Sequence, residues 1–246
     1  MQQTVFAVVA QAVNYRDHDR VLTLITRERG TVTATARGCR KPQSKLMSCA
    51  QPFVYGEYEL ADYKGRLYVK SCQVREIFYN LRLEPTALAA AGQAVQAARA
   101  FANPEEDNAK LFTLLLFTLA RLCEKQADHL CILAFFLAKL LDFAGLCPEV
   151  QGCVCCGEEQ QLLWYDGESG GAVCAECARH LPTAKPLSAQ CRLALEKMRQ
   201  TPSAKYPALY PEIAPVGAEA YAHLLTSYAA SAAKPLPHLH TLMPKL

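Results

Sequence analysis

The sequence predicts an α+β protein in two parts, a small N-terminal β-barrel and a larger α-helical domain that carries a cysteine-rich insert. Three observations point there. The first eighty residues contain five short runs rich in Val, Thr, Tyr and Phe, separated by turn residues. After Glu84-Pro85 the apolar period changes from that of strands to that of helices. Between about 152 and 180, two Cys-x2-Cys pairs interrupt the helical pattern, Cys153 with Cys156 and Cys174 with Cys177.

The five strand-like runs are Val5–Val13, Val21–Thr26, Thr31–Arg37, Phe53–Leu60 and Leu67–Val74. In the third, Thr31, Thr33 and Thr35 alternate with Val32, Ala34 and Ala36, the period of a half-buried strand. Arg29-Gly30 and Lys64-Gly65 mark tight reversals between neighbours. The stretch from Gly38 to Pro52 is long enough for a short helix around Ser44–Ala50. Five strands with one long connection after the third fit a partly open barrel of the OB type over residues 1–80. Strand count alone leaves an SH3-like barrel or a plain antiparallel sheet open.

The helical domain, residues 81–246, begins where Thr86 can cap a helix over Ala87–Phe101, with a face of Ala91, Val95, Ala98 and Phe101. Asn103-Pro104 ends it. Helices over about Ala109–Cys123 and Asp128–Ala144 are apolar almost all round, which for soluble segments means burial on several sides. After the insert come a helix over roughly Ser188–Arg199, a Pro/Tyr-rich passage from Pro202 to Pro215, and a last helix over Gly217–Ala233 running into a Pro- and His-containing tail.

Composition narrows the class. The chain is 246 residues long, 51% hydrophobic and 20% charged, which is enough to bury a core and is not a disordered composition. The apolar stretch Val5–Val13 has no basic residue ahead of it and does not read as a secretory signal. Leu111–Ala120 and Leu130–Ala138 fall short of the roughly 18 apolar residues that span a membrane, and Arg121, Lys139 and Asp142 close them off. A cytoplasmic protein is expected, with its twelve cysteines mostly reduced. The net charge of +3 is unevenly spread. Residues 1–80 carry twelve Lys/Arg against seven Asp/Glu, whereas residues 81–246 carry fourteen against sixteen. A surface for an anionic polymer therefore belongs to the N-terminal part.

Zinc(II) takes four soft or borderline ligands at tetrahedral corners, and two Cys-x2-Cys knuckles deliver them from two tight turns. Seventeen residues lie between Cys156 and Cys174, and Leu162–Tyr165 within them suits a small ribbon. Cys155 introduces a second register, Cys153-x-Cys155, although the x2 spacing followed by Gly157 makes the better knuckle. Four thiolates leave no open coordination position, so one structural zinc is expected. The basic run Arg37-Gly-Cys-Arg-Lys-Pro-Gln-Ser-Lys45 joins charge, a glycine and hydroxyl donors, groups suited to phosphate. Arg27 and Arg29 in the preceding turn, and Arg16 and Arg20 in the first connection, extend that patch, and Tyr15, Tyr55 and Tyr58 are candidate stacking surfaces for bases. Cys123 and Cys131 read as small buried hydrophobes, and Cys39 sits among Arg37, Arg40 and Lys41 with no nearby histidine to activate it. No phosphate loop, GxGxxG or HExxH motif is present, so no catalytic residue is assigned.

Taken in order, several segments resemble the RecO family of bacterial recombination mediators. They are Val21-Leu-Thr-Leu-Ile-Thr-Arg-Glu-Arg-Gly30, Ala36-Arg-Gly-Cys-Arg-Lys-Pro-Gln-Ser-Lys-Leu46, Gln51-Pro-Phe53, Phe135-Phe-Leu-Ala-Lys-Leu-Leu-Asp-Phe-Ala-Gly145 and Gly170-Gly-Ala-Val-Cys-Ala-Glu-Cys177. The resemblance covers essentially the whole chain. It implies an OB domain, a helical domain with a zinc element, and binding of single- and double-stranded DNA. It also implies annealing of strands coated with single-strand binding protein and cooperation with RecR in loading the RecA recombinase, at the nucleoid and with neither membrane nor nucleotide. The positions matching the family's DNA face are Arg27, Arg37, Arg40, Lys41 and Lys45. The dock for the C-terminal tail of single-strand binding protein falls on the helices containing Arg121 and Lys139. Cys39 and Cys155 depart from the expected pattern and add oxidisable thiols. The competing reading from the residues is a zinc-stabilised protein scaffold without a direct DNA role.

Overall fold

The computed structural model describes residues 2–104, 108–124 and 128–232. Ala233, expected to end the last helix, and the tail histidines His238 and His240 lie outside the described residues. Two compact units are distinguishable: Met1–Leu83 with Val95–Leu116, and Glu84–Ala94 with Phe117–Leu246.

In the first unit, β1 (Gln2–Tyr15), β2 (Asp19–Thr26), β3 (Gly30–Ala36), β4 (Tyr55–Tyr63) and β5 (Arg66–Glu76) form a closed barrel in the order β1-β2-β3-β5-β4. β1 is longer than its sequence pattern suggests because it serves two neighbours. Gln2–Val8 pairs with β4, and Ala7–Tyr15 pairs with β2, with a shift of register between Val9 and Gln11. Such a bulge bends the strand and lets one element turn the corner. β3 and β5 meet in parallel, Ala34 opposite Leu67 and Thr35 opposite Tyr68. This order, closed on itself, is the OB arrangement, and it disposes of the flat-sheet and SH3-like alternatives. Val5, Ala7, Val9, Leu22, Leu24 and Tyr58 are among the residues that fill the interior.

The 38–53 connection is a succession of turns and not the short helix expected around Ser44–Ala50. Three of its amides bond three residues back, Lys41 to Gly38, Ser44 to Lys41 and Met47 to Ser44, and Ala50 reaches four back, to Leu46. The Ser44 hydroxyl accepts from the Leu46 amide at 3.3 Å, competing with a helical bond. The loop is pinned from the core, where the Tyr58 hydroxyl donates to the Cys49 carbonyl at 2.9 Å.

Helices α1 (Pro85–Phe101) and α2 (Ala109–Cys123) follow. Thr86 lies inside α1 and does not cap it; Pro85 takes the first turn and the Thr86 hydroxyl donates to the Glu84 carboxylate at 2.8 Å. Within the first unit, the later part of α1 and the start of α2 cover the barrel wall. Arg99 donates to the Gln11 side chain at 3.3 Å, and the Phe112 and Tyr55 rings meet edge to face at 5.8 Å.

The second unit is built round α3 (His129–Phe143), in which every residue from Cys131 to Leu141 is buried. Its N-terminus is closed by Asp128, whose carboxylate accepts from the Leu130 and Cys131 amides. α3 packs against α5 (Ala189–Gln200), α6 (Tyr206–Ile213) and α7 (Gly217–Ser231). Each buried Leu or Phe contributes about 1.5–3 kcal/mol relative to exposure, so a helix enclosed on all sides dominates the stability of this unit. The Pro/Tyr-rich passage that sequence reading leaves irregular contains α6. Pro207 fits the helix's first turn, Pro211 sits within so short a helix that it costs little regular bonding, and Tyr206 and Tyr210 pack on Phe135 at 4.2 and 5.2 Å between ring centres. The insert forms a small sheet, β6 (Trp164–Asp166) between β7 (Gly171–Val173) and β8 (Lys185–Pro186), with a one-turn helix α4 (Ala175–Ala178). It is joined to α7 through the buried Tyr165 hydroxyl, 2.6 Å from that of Ser227.

Gly30 and Gly65 both turn hairpins in the left-handed region, at φ 58° and 75°. They differ in surroundings. A Cβ on Gly30 would lie 2.6 Å from the Asn103 carbonyl carbon, whereas one on Gly65 would meet nothing within 4 Å. Gly65→Ala should therefore cost only the conformational penalty, about 1 kcal/mol, and Gly30→Ala that penalty plus a backbone displacement, about 3 kcal/mol or more. Thermal melts should show a Tm loss for Gly30→Ala at least twice that for Gly65→Ala; equal losses would refute the close packing at Gly30.

Candidate metal centre and nucleic-acid face

The Sγ atoms of Cys153, Cys156, Cys174 and Cys177 all lie within 4.8 Å of one another. The first pair sits in a turn closed by the Gly157 amide, which donates to the Cys153 carbonyl at 2.8 Å; Gly157 takes φ 80°, a conformation that favours glycine after a knuckle. The second pair brackets the start of α4, directly after β7. Val154 bonds to the Ala172 carbonyl at 3.0 Å, which holds the two turns face to face. Cys155 is exposed and stands outside the set, so the x2 register is the one that converges.

Cys156 and Cys174 are 3.8 Å apart, sulfur to sulfur. A disulfide needs about 2.05 Å, whereas the edge of a tetrahedron with metal–sulfur bonds of about 2.3 Å is about 3.8 Å. The four thiols therefore fit a tetrahedral metal ion. Burial works to raise the Cys153 thiol, but backbone amides of Cys174, Cys155 and Cys156 and the Cys156 side chain outweigh it and hold it at about 6. Hydrogen bonds with Cys156 and then Cys174 push Cys177 in the opposite direction. A bound cation would replace this unequal sharing of protons with four thiolates.

On the barrel, Arg37, Arg40, Lys41 and Lys45 are exposed, as is Arg27. They do not form one cluster. Arg27 follows β2 and Arg37 follows β3, so the two sit at opposite ends of a seven-residue strand, roughly 20 Å apart. Arg37 lies with its guanidinium 4.1 Å from the centre of the Tyr68 ring. The two help line an open groove of about 430 Å³ together with Tyr15, Arg16, Asp19 and Arg66. Arg40 turns instead to the β1–β2 connection, donating to the Asp17 carbonyl at 3.2 Å while its amide bonds to the His18 carbonyl at 3.0 Å. Arg20 is likewise committed, to the Ala50 carbonyl at 2.7 Å and the Asn14 side chain at 3.1 Å, and Arg29 reaches the Gln3 side chain at 2.7 Å.

Of the three tyrosines offered as stacking surfaces, Tyr15 alone borders the groove, 42% exposed. Tyr58 is in the barrel core and Tyr55 packs on Phe112. Sequence reading leaves out Arg66 and Tyr68. Their alternation along one strand was a signal that they share a face, but nothing local says that β5 lies beside β3. Cys39 is buried, and burial raises its thiol, which suits an inert core residue.

In the second unit, Lys139 is only 7% exposed, and its ammonium donates to Asp142 at 3.0 Å and to the Arg199 carbonyl at 2.8 Å. A cation there neutralises the carbonyl end of α5. Arg121 pairs with Glu124 at 2.6 Å and lies over the Phe117 ring. Among the described residues, no helix is long and apolar enough to cross a membrane.

Residues 1–78 match the family profile described as Recombination protein O N terminal, and residues 82–239 match Recombination protein O C terminal. DNA repair protein RecO of Anaeromyxobacter dehalogenans (strain 2CP-C) is 34% identical over 217 residues, covering 87% of this chain and 85% of that protein. DNA repair protein RecO of Myxococcus xanthus (strain DK1622) is 34% identical over 70% of each chain. That of Alkaliphilus metalliredigens (strain QYMF) is 33% identical over 66% of this chain and 67% of its own. Both profiles match in order along the chain, which folds as a closed five-stranded barrel followed by a helical region with a four-thiol cluster, and the chain belongs to the RecO family of DNA repair and recombination proteins.

Proposed function

We propose that this chain binds single- and double-stranded DNA through its barrel, anneals complementary strands coated with single-strand binding protein, and works with RecR to load the RecA recombinase at the nucleoid. It does so without a catalytic residue and without consuming a nucleotide. Residues 1–80 act as the nucleic-acid-binding domain, and residues 81–246 as the partner-binding domain, its insert at about 152–180 stabilised by one zinc ion.

The observation that carries the DNA reading is the groove in which Arg37 stacks on Tyr68 beside Arg16 and Arg66. Annealing two polyanions is limited by their repulsion, so a cationic surface that tolerates any sequence is what the process needs. Aromatic rings supply stacking for unpaired bases, and guanidinium groups bind phosphate regardless of sequence. Lys41 and Lys45 extend the charge along the following loop, while Arg40 serves mainly to hold that loop. Removing one phosphate-binding side chain should reduce the slope of log affinity against log salt by about 0.7–0.9. Arg37→Ala with Arg66→Ala should thus flatten the slope by about 1.5, slow annealing in proportion and leave metal content unchanged. Tyr68→Ala should weaken single strands more than duplex. Fluorescence-followed annealing over a salt series, with and without ATP, checks this. Wild type that retains no DNA at low salt would return the chain to the scaffold reading.

The zinc reading rests on the convergence of the four sulfurs, with Cys156 and Cys174 at the edge length of a metal-centred tetrahedron. Protein purified without added metal should hold one zinc at these residues, and Cys174→Ser should lose it, with a fall in thermal stability before any change in DNA affinity per folded molecule. Elemental analysis that finds no metal in the wild type sinks the idea.

For the C-terminal tail of single-strand binding protein we assign a groove between α5 and α6, floored by Leu193, Ala194, Ile213 and Val216 with Lys197 at its rim. Leu193 is 54% exposed, an apolar side chain available to a hydrophobic peptide end, and Lys197, ion-paired with Glu212 at the rim, would exchange that carboxylate for an acidic residue of the peptide. Lys139, already tied within the helices, takes no part. Titration with a short acidic peptide ending in an aromatic residue should show at least tenfold weaker binding to Leu193→Asp and unchanged binding to Arg121→Ala. The reverse pattern moves the dock to α2.

A further inference from the structure

Besides the four-thiol cluster, one other set of metal-ligating side chains converges in the second unit. Sγ of Cys191, a carboxylate oxygen of Glu219 and a ring nitrogen of His223 lie within 4.8 Å of one another. Glu219 and His223 stand four residues apart on α7, which puts them on one face, and Cys191 faces them from α5. We propose that Cys191, Glu219 and His223 form a second, three-ligand site for a borderline transition metal ion such as zinc(II), with one coordination position left open.

Three features support a ligand set over an ordinary packed cluster. His223 is 4% exposed, yet its Nε2 has no hydrogen-bond partner, a costly state for a buried polar atom. That atom lies 3.7 Å from the Glu219 Oε1, a little wider than the about 3.3–3.5 Å that separates nitrogen and oxygen ligands with bonds of about 2.0–2.2 Å at tetrahedral angles. Finally, the carboxylate is oriented from outside. Oε1 accepts from the Ser188 amide and Oε2 from the Ser188 hydroxyl, both at 2.7 Å, leaving each oxygen a further lone pair. The same Ser188 hydroxyl accepts from the Cys191 amide at 3.0 Å, so one residue positions two of the three ligands.

Glu219 is only partly buried while Cys191 and His223 are enclosed, which leaves an entry path on the carboxylate side. Loading would form metal–sulfur, metal–nitrogen and metal–oxygen bonds and release the Cys191 thiol proton to solvent, with no oxidation or reduction. The thiolate and carboxylate together balance a divalent charge. Three protein ligands with an open fourth position differ in kind from the closed four-thiol centre, since the fourth ligand can exchange.

Cobalt(II) titration of the full-length chain, read by stoichiometry and by the cobalt absorption spectrum, tests the proposal. Metal-free wild type should take up two equivalents, Cys191→Ser and His223→Gln one each with the spectrum of a four-thiolate centre, and Cys174→Ser one with a much weaker thiolate charge-transfer band. Circular dichroism of each variant accompanies the count. Wild type that takes up a single equivalent, retained in Cys191→Ser, overturns the second site while leaving the four-thiol reading intact. A single equivalent lost in Cys191→Ser but retained in Cys174→Ser supports the second site and removes the first. Two equivalents in Cys191→Ser and His223→Gln also overturn it, and the wild-type count decides the matter should either variant fail to fold.

Discussion

Closure of the barrel rests on β1, which hydrogen-bonds β4 along its first half and β2 along its second. A sheet of five strands has two edges exposing unpaired amides and carbonyls, and a strand that bends to serve both neighbours removes them. The bulge between Val9 and Gln11 is the local device that permits the bend. Closure in turn forces β5 in beside β3, because β4 is already occupied by β1 on its other side. The parallel pairing of Thr35 with Tyr68 follows, and with it the stacking of Arg37 on Tyr68. The groove is a consequence of how the sheet avoids having an edge.

The second unit is organised by burial of α3. A helix apolar on all sides has no solvent face to set its rotation, so neighbouring elements must be fixed by other means. The polar groups at and around it fix them. Lys139 ties the helix to the carbonyl end of α5, and Asp128 terminates its first turn. Tyr165 carries the insert's small sheet to Ser227 on α7. Asp166, fully buried at the end of β6, accepts from the Ser169 amide and the Thr183 hydroxyl; these bonds overcome burial and keep its carboxyl below the usual range. Each of these polar groups is satisfied by an element that its partner positions.

Cations in this chain divide between structure and surface. Arg20, Arg29 and Arg40 lie in the basic N-terminal part, yet their donors are spent on carbonyls and side chains of neighbouring turns. Arg37 has an aromatic platform, and Lys41 and Lys45 project from an exposed loop. Charge counting does not distinguish these uses. A guanidinium that closes a turn adds to the field felt by a polyanion even when it cannot touch a phosphate directly.

What could be read from the sequence was whatever depends on neighbours in the chain. The strands show as period-two runs, α2 appears with both ends correct, and Asp128 and Ser188 announce the helices they cap. The four cysteines announce a cluster that could hold a metal ion because each knuckle is a local turn and the two need only face one another. Exposed charge was equally plain in Arg37, Lys41 and Lys45. Tertiary structure alone decided which residues far apart in sequence become neighbours. It brought Tyr68 under Arg37, assigned Lys139 to the end of α5, made a helix of the Pro/Tyr-rich passage by packing it on Phe135, and set Cys191 against His223. The physical reason is that spacing along a chain fixes geometry only over a turn or a strand, while strand order and helix packing are set by closing the sheet and enclosing apolar surface, which are properties of the whole fold.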